Sequence, residues 1–276
     1  MRITITNAER SAQSMARDKL AAAVQSIREL GCVILENAID REPLDILRDK
    51  MTDDTHQILA AQNAGRDVVG WKKGHLQQRP PPNLPYVFRD IVANPLIVQV
   101  TRAVLGDGLF NAFYSGNTNV PGSDPQPIHR DARSLWTDND LAHPASTLVV
   151  NISPIDVHAD NGSTEIWPGT HLLCGEPNEQ AISQRRTVAP PTRVTAPVGS
   201  AVIRDIRLWH RGVPNTSDQI RHMIAMVHQI QWFRRVHTLP FQTGCENQFA
   251  DSPLDPNAEF INDLIDYLFG PFHTHS

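Results

Sequence analysis

Three side chains from two distant stretches of the chain could hold one divalent metal. Mid-chain, Pro127-Ile128-His129-Arg130-Asp131 sets an imidazole and a carboxylate two positions apart. On an extended strand, residues i and i+2 project from the same face, so His129 and Asp131 can reach one ion together. A second His-x-Asp, His158-Ala159-Asp160, runs into an Asp-Asn-Gly turn and reads as exposed loop. The third ligand is expected from His210, which follows a strand-like run from Gly199 to Trp209 and precedes a turn. Two histidines and one carboxylate on one face of an ion leave three positions open, the facial arrangement of non-haem Fe(II) oxygenases. Two of those positions suit a bidentate 2-oxo acid and the third suits O2.

Arg221 lies eleven positions after His210 and opens the apolar run Ile224-Ala225-Met226-Val227. A planar guanidinium binds both oxygens of a carboxylate at once. Ferrous iron, Asp131, dianionic 2-oxoglutarate and Arg221 sum to zero charge, which a buried site requires. The same ligand types would also suit a zinc hydrolase or isomerase, or a non-catalytic metal-binding jelly-roll sensor or binding protein. The non-catalytic sensor would need neither Arg221 nor Gln126.

The elements that must position these residues divide the chain in two. Residues 14–30 carry Met15, Leu20, Val24, Ile27 and Leu30 near a 3.6-residue period, which predicts a helix stopped by Gly31. Cys32-Val33-Ile34-Leu35 predicts a strand, and a second helix is expected from Asp40 as N-cap through Leu59. A third is expected over 87–105. From Phe110 onward, short β-rich runs alternate with Pro, Gly, Asn and Asp, as in a sandwich or barrel. Residues 171–191 lack a period and read as a surface excursion, and 258–269 read as a closing helix. The terminal His-Thr-His-Ser reads as a mobile tail.

Composition narrows the classes. The chain has 276 residues, net charge −5, 40% hydrophobic and 20% charged residues, which suits an ordinary soluble protein with a sizeable core. No basic run or zinc-finger spacing points to nucleic acid, and no apolar stretch approaches membrane-spanning length. The N-terminus lacks the apolar core of a secretory signal. Cys32, Cys174 and Cys245 are odd in number and far apart, which fits free thiols in a reducing, cytoplasmic setting and no disulfide framework.

Four blocks together resemble the phytanoyl-CoA dioxygenase family. They are Gln126 to Asp131, Asn161-Gly162-Ser163-Thr164-Glu165-Ile166-Trp167-Pro168-Gly169-Thr170-His171, Gly199 to His210, and His210 to Arg221. The resemblance implies a mainly β protein, a double-stranded β-helix (jelly roll, cupin-like) with flanking, largely N-terminal helices. One domain spans 1–276, with a mostly helical part at 1–108, a jelly-roll core at 109–235 and a C-terminal extension at 236–276. It implies that His129, Asp131 and His210 ligate Fe(II), that Arg221 binds the distal carboxylate of 2-oxoglutarate with help from Thr164, and that Gln126 reaches the carboxylate beside the ketone. Halogenating relatives carry a small residue in place of Asp131, so oxygenation is implied, most simply hydroxylation of a C–H bond with release of succinate and CO2.

Segments such as Gly74-His75-Leu76-Gln77-Gln78, Tyr114 to Asn119 and Val202-Ile203-Arg204-Asp205 are similar to antibiotic-tailoring members such as kanamycin B dioxygenase, which implies secondary metabolism. Strand alternation sends Arg130 away from the metal and Arg133 toward it, which would repel a polycation. The expected partner is therefore a neutral or anionic small molecule in a pocket lined by Gln78, Asn117, Arg133 and Trp136. His171, Gly162 and Gly169 are expected to serve structure only, the histidine through a hydrogen bond and the glycines through turn geometry.

Overall fold

The computed structural model describes residues 1–67, 73–136, 141–234 and 237–270. The terminal His-Thr-His-Ser lies outside the described residues. The helices are α1 (Asn7–Ser11), α2 (Arg17–Leu30), α3 (Arg41–Asn63), α4 (Arg89–Val92), α5 (Pro95–Leu105) and α6 (Glu179–Val188). The strands are β1 (Arg2–Thr4), β2 (Cys32–Glu36), β3 (His75–Gln77), β4 (Phe110–Asn119), β5 (Thr147–Ile152), β6 (Glu165–Ile166), β7 (Thr192–Arg193), β8 (Ala201–Asp205), β9 (His210–Arg211), β10 (Arg221–Gln229), β11 (Leu239–Gln242) and β12 (Ala258–Ile261).

Seven strands form one sheet in the order β1-β2-β8-β5-β10-β4-β3, and β7-β6-β9 form a smaller one. Alternation along each central strand sends one set of side chains to the helices and the other toward the small sheet. Leu148, Val150 and Ile152 of β5, Ile203 of β8 and Ile224 and Met226 of β10 join α2, α3 and α5 in the main core. Cys32, Ile34 and Val202 instead meet Ile166, Val194, Ala196 and Leu208. The result is the expected mainly β, cupin-like jelly roll with outer helices, although its sheets do not close into a barrel.

The helix expected over 87–105 is two helices. Pro95 disfavours helical geometry at Asn94, so α4 stops at Val92 and α5 restarts with Pro95 in its first turn. The Asn94 side chain then accepts hydrogen bonds from the N–H groups of Leu96 and Ile97. Asp40 stands at the N-cap of α3 as expected, but its carboxylate pairs with Arg10 at 3.3 Å and leaves the cap unmade. That helix continues to Asn63.

Two expectations in the second half change. Residues 258–269 do not form a helix. Ala258–Ile261 pairs in parallel with β11, and Phe260 joins an aromatic cluster with Phe241 and Phe249. Sheet pairing and aromatic packing outweigh local helical preference here. Within 171–191 lies α6, capped by the Asn178 side chain and with no buried residue, which explains why no apolar period marks it. No described helix is long and apolar enough to cross a membrane.

Two imidazoles sit on the helix-facing side of β10. Burial, with a further push from the Arg221 charge, lowers His222 to about 3. Burial alone lowers His228 to about 3. Both are neutral in the folded state and protonate in the unfolded chain below 6.5. Their contribution is therefore complete above that value and is lost as pH falls toward 3. We expect thermal stability to fall between pH ~8 and ~5 by about 2 kcal/mol for each imidazole. His228→Leu should fold and lose about half of that acid sensitivity; a melting curve of unchanged pH dependence would contradict this.

Candidate metal centre

Two backbone segments are locked together at the centre of the site. His129 and His210 form an antiparallel bridge, with the His129 N–H donating to the His210 carbonyl at 3.0 Å and the reverse bond at 2.9 Å. The pairing brings the imidazoles side by side, their centroids 4.4 Å apart. The Trp209 side chain is buried in the core and its backbone N–H donates to the Thr170 hydroxyl at 2.9 Å, so alternation turns His210 toward the cavity. A buried ion pair between Arg207 and Asp205 at 2.7 Å fixes the turn that delivers this segment from β8.

Two residues past His129, the Asp131 Oδ1 lies 3.6 Å from His129 Nε2 and 3.5 Å from His210 Nε2. Among the described residues, these three side chains form a cluster whose ligand atoms all lie within 4.8 Å of one another. Each Nδ1 is within 2.9 Å of a backbone carbonyl, that of Pro127 for His129 and that of Leu208 for His210. A carbonyl accepts only, so Nδ1 carries the proton and Nε2 keeps its lone pair for a metal. Burial, then the neighbouring His210, lowers the His129 pKa and favours that neutral form. Burial would raise the Asp131 carboxyl, but the Arg204 charge and His210 hold it well below the usual range. The donor set of two imidazoles and one carboxylate fits Fe(II).

Arg221 opens β10 with 2% exposure, deep in the same cavity. Its Nη2 donates to the Gly162 carbonyl at 3.0 Å. Gly162 reaches this position at φ +79°, where an added Cβ would meet the Asn119 amide nitrogen at 2.2 Å. Nε and Nη1 of Arg221 are buried with no hydrogen-bond partner among the described residues. Burial lowers the guanidinium to about 10, which still leaves it cationic near neutrality. An unpaired charge in such a place costs several kcal/mol, so the site is built for an anion that supplies two acceptors.

The cavity measures 740 Å³ and connects the cluster to Arg221. Gln126 and Thr164 line it, as does Asn117 from β4. The Gln126 Oε1 accepts the Gly212 N–H at 2.7 Å, which leaves its NH2 group for a ligand. Three sequence expectations for the pocket are corrected. Gln78 faces α3 instead, where it bonds Thr55 at 2.8 Å and the Met51 carbonyl at 2.7 Å; its neighbour Gln77 lines the cavity. Arg133 points to solvent and pairs with Glu176 at 3.4 Å. Trp136 is 54% exposed and packs edge-on against His143, outside the cavity wall. Arg130 turns away from the cluster as alternation requires, donating to the Leu173 carbonyl at 3.2 Å. His171 makes a structural contact at 3.1 Å to the Arg28 carbonyl.

Sequence reasoning passed over Arg204. Its Nη2 donates to Asp131 Oδ2 at 2.6 Å, and it shares the cavity with Arg221. The signal was present: Arg204 shares strand parity with Val202, which packs inward. Its charge adds a cation that the balance of iron, Asp131, 2-oxoglutarate and Arg221 does not include.

Comparison with known proteins bears on the same residues. A dioxygenase from Emericella variicolor, andF, is 22% identical over 72% of this chain and 70% of its own length. The Aspergillus fumigatus dioxygenase af480 is 27% identical over 52% of this chain and 45% of its own. Among solved structures, the non-heme alpha ketoglutarate dependent carbocyclase SnoK from nogalamycin biosynthesis aligns over 79% of this chain and 85% of its own, at TM-score 0.55 and 20% identity. The epimerase SnoN, in complex with Fe3+, alpha ketoglutarate and nogalamycin RO, aligns over 78% and 85% at TM-score 0.55 and 16% identity. These structural likenesses establish the fold. The family model for phytanoyl-CoA dioxygenase matches residues 27–223, most of the chain and every residue of the cluster, and the chain therefore belongs to the phytanoyl-CoA dioxygenase (PhyH) family of Fe(II)- and 2-oxoglutarate-dependent dioxygenases.

Proposed function

We propose that this enzyme hydroxylates a C–H bond of a small-molecule natural product, with His129, Asp131 and His210 holding Fe(II). Arg221, Gln126 and Thr164 hold 2-oxoglutarate in this reading. The observation that carries it is the buried, half-unpartnered Arg221 guanidinium in the same cavity as three converging metal donors. Iron, 2-oxoglutarate and O2 together supply the oxidant for the C–H bond, with 2-oxoglutarate leaving as succinate and CO2.

The chain's own residues do the positioning. The Pro127 and Leu208 carbonyls keep both imidazoles turned with Nε2 toward the ion. Arg221 orients the distal carboxylate and Gln126 the one beside the ketone. On the substrate side, Ala112, Phe113, Ala225, Val227 and Phe233 make an apolar wall that excludes water, with Gln77 and Asn117 as hydrogen-bonding groups. Asn257 and His237 at the cavity's edge bring the C-terminal extension into the same unit, so we read 1–276 as one catalytic domain. Among the described lining residues Asp131 is the one carboxylate, while Arg130, Arg204 and Arg221 are cationic. A neutral or anionic substrate fits that balance.

Hydroxylation is separated from other outcomes by product analysis, since carbocyclase and epimerase activities are named for proteins of the same fold. Asp131→Ala and His210→Ala should reduce succinate formation to the metal-free background; full retention would refute the ligand assignment. Arg221→Ala should weaken 2-oxoglutarate binding by about 2–3 kcal/mol, roughly 30- to 150-fold, through loss of charged hydrogen bonds. Unchanged affinity by calorimetry would remove Arg221 from the site. In a binding panel of matched analogues, neutral and anionic compounds should bind and polycations should not; tight polycation binding contradicts the substrate class.

A further inference from the structure

Arg204 stands on the inward face of β8, between its neighbours Ile203, which is buried in the main core, and Asp205, which pairs with Arg207. The guanidinium is 8% exposed. Its three nitrogens have three different situations. Nη2 donates to Asp131 Oδ2 at 2.6 Å, and Nε donates to the Asn151 Oδ1 at 3.4 Å. Nη1 is buried and has no hydrogen-bond partner among the described residues. Arg204, Arg221 and Thr164 line the main cavity together with His129, Asp131 and His210.

The two oxygens of Asp131 are thereby given different work. Oδ1 faces both histidine Nε2 atoms, and Oδ2 is taken by Arg204. A carboxylate that used both oxygens on the metal would fill two of six octahedral positions. With two histidines, only two would remain, too few for a chelating 2-oxo acid and O2 together. Holding Oδ2 off the ion keeps the third position open.

From this geometry we infer that Arg204 is a positioning residue with two edges, one fixing Asp131 in single-oxygen ligation and the other, through Nη1, binding the carboxylate beside the ketone of the 2-oxo acid. The inference rests on the proposed iron and 2-oxoglutarate site. It gives the cavity two guanidinium sites, Arg221 for the distal carboxylate and Arg204 for the metal-proximal one. A buried N–H without an acceptor is costly, and a carboxylate oxygen would supply that acceptor.

The test uses full-length protein loaded with Mn(II) under argon, with binding read by calorimetry. The probes are 2-oxoglutarate and 2-oxopentanoate, which lacks the distal carboxylate. Arg204→Met should weaken both probes by about 10- to 100-fold and Mn(II) itself by a similar factor. Arg204→Lys keeps the charge beside Asp131 but reaches a single acceptor, so it should restore Mn(II) affinity and still bind 2-oxopentanoate weakly. Arg221→Ala should weaken 2-oxoglutarate and leave 2-oxopentanoate unchanged. Melting of the metal-free variants checks that each is folded, and Arg204→Lys decides the question if the methionine variant is not. If both Arg204 variants bind 2-oxopentanoate within about twofold of the parent protein, the inference is wrong, while the Arg221 result still stands for the site as a whole. If the parent protein binds neither probe, the underlying site reading fails instead.

Discussion

Two reciprocal backbone hydrogen bonds between His129 and His210 are the constraint on which the site depends. They join the segment before Asp131 to the short strand β9, and through β9 to the small sheet. Without that bridge the two imidazoles would belong to unrelated loops. With it, their separation is set by strand geometry, and the Asp131 carboxylate arrives two residues later on the same side. The large sheet then only has to present its inward face to this pair, and alternation along β5, β8 and β10 does so.

Charge organises the interior as firmly as packing does. Arg204 and Arg221 are both buried, and each has N–H groups without a partner among the described residues. A fold retains such groups at a cost unless a ligand completes them. Arg221, Arg204, Asp131 and the two histidine donors thus share one cavity, with Arg204 bonded directly to Asp131. Apolar side chains from β4 and β10, among them Ala112, Phe113, Ala225 and Val227, line the same cavity.

Much of this was legible in the sequence because two simple periodicities carry it. Strand parity pairs His129 with Asp131 and directs the Arg130 guanidinium away from them, to the Leu173 carbonyl. The Gly162 and Gly169 turns read correctly, at φ +79° and +78°. The failures have equally local causes. The expected pocket residue Gln78 is displaced by Gln77, one position away and on the other face of the strand. Arg133 and Trp136 follow the last bridging residues, where no ladder fixes direction. Residues 258–261 have helix-compatible spacing, and only pairing with β11, far off in sequence, makes them a strand. A charge in a strand suggests the solvent face, whereas Arg204 is buried and bonded to Asp131.

The account's central claim is that His129, Asp131 and His210 hold an iron that a 2-oxo acid can chelate beside Arg221. Anaerobic titration of the protein with Fe(II) and 2-oxoglutarate tests it most directly. The account predicts a visible charge-transfer absorption that saturates at one equivalent of each and is absent in Asp131→Ala. A colourless titration of folded protein, or an absorption that persists without Asp131, would contradict it.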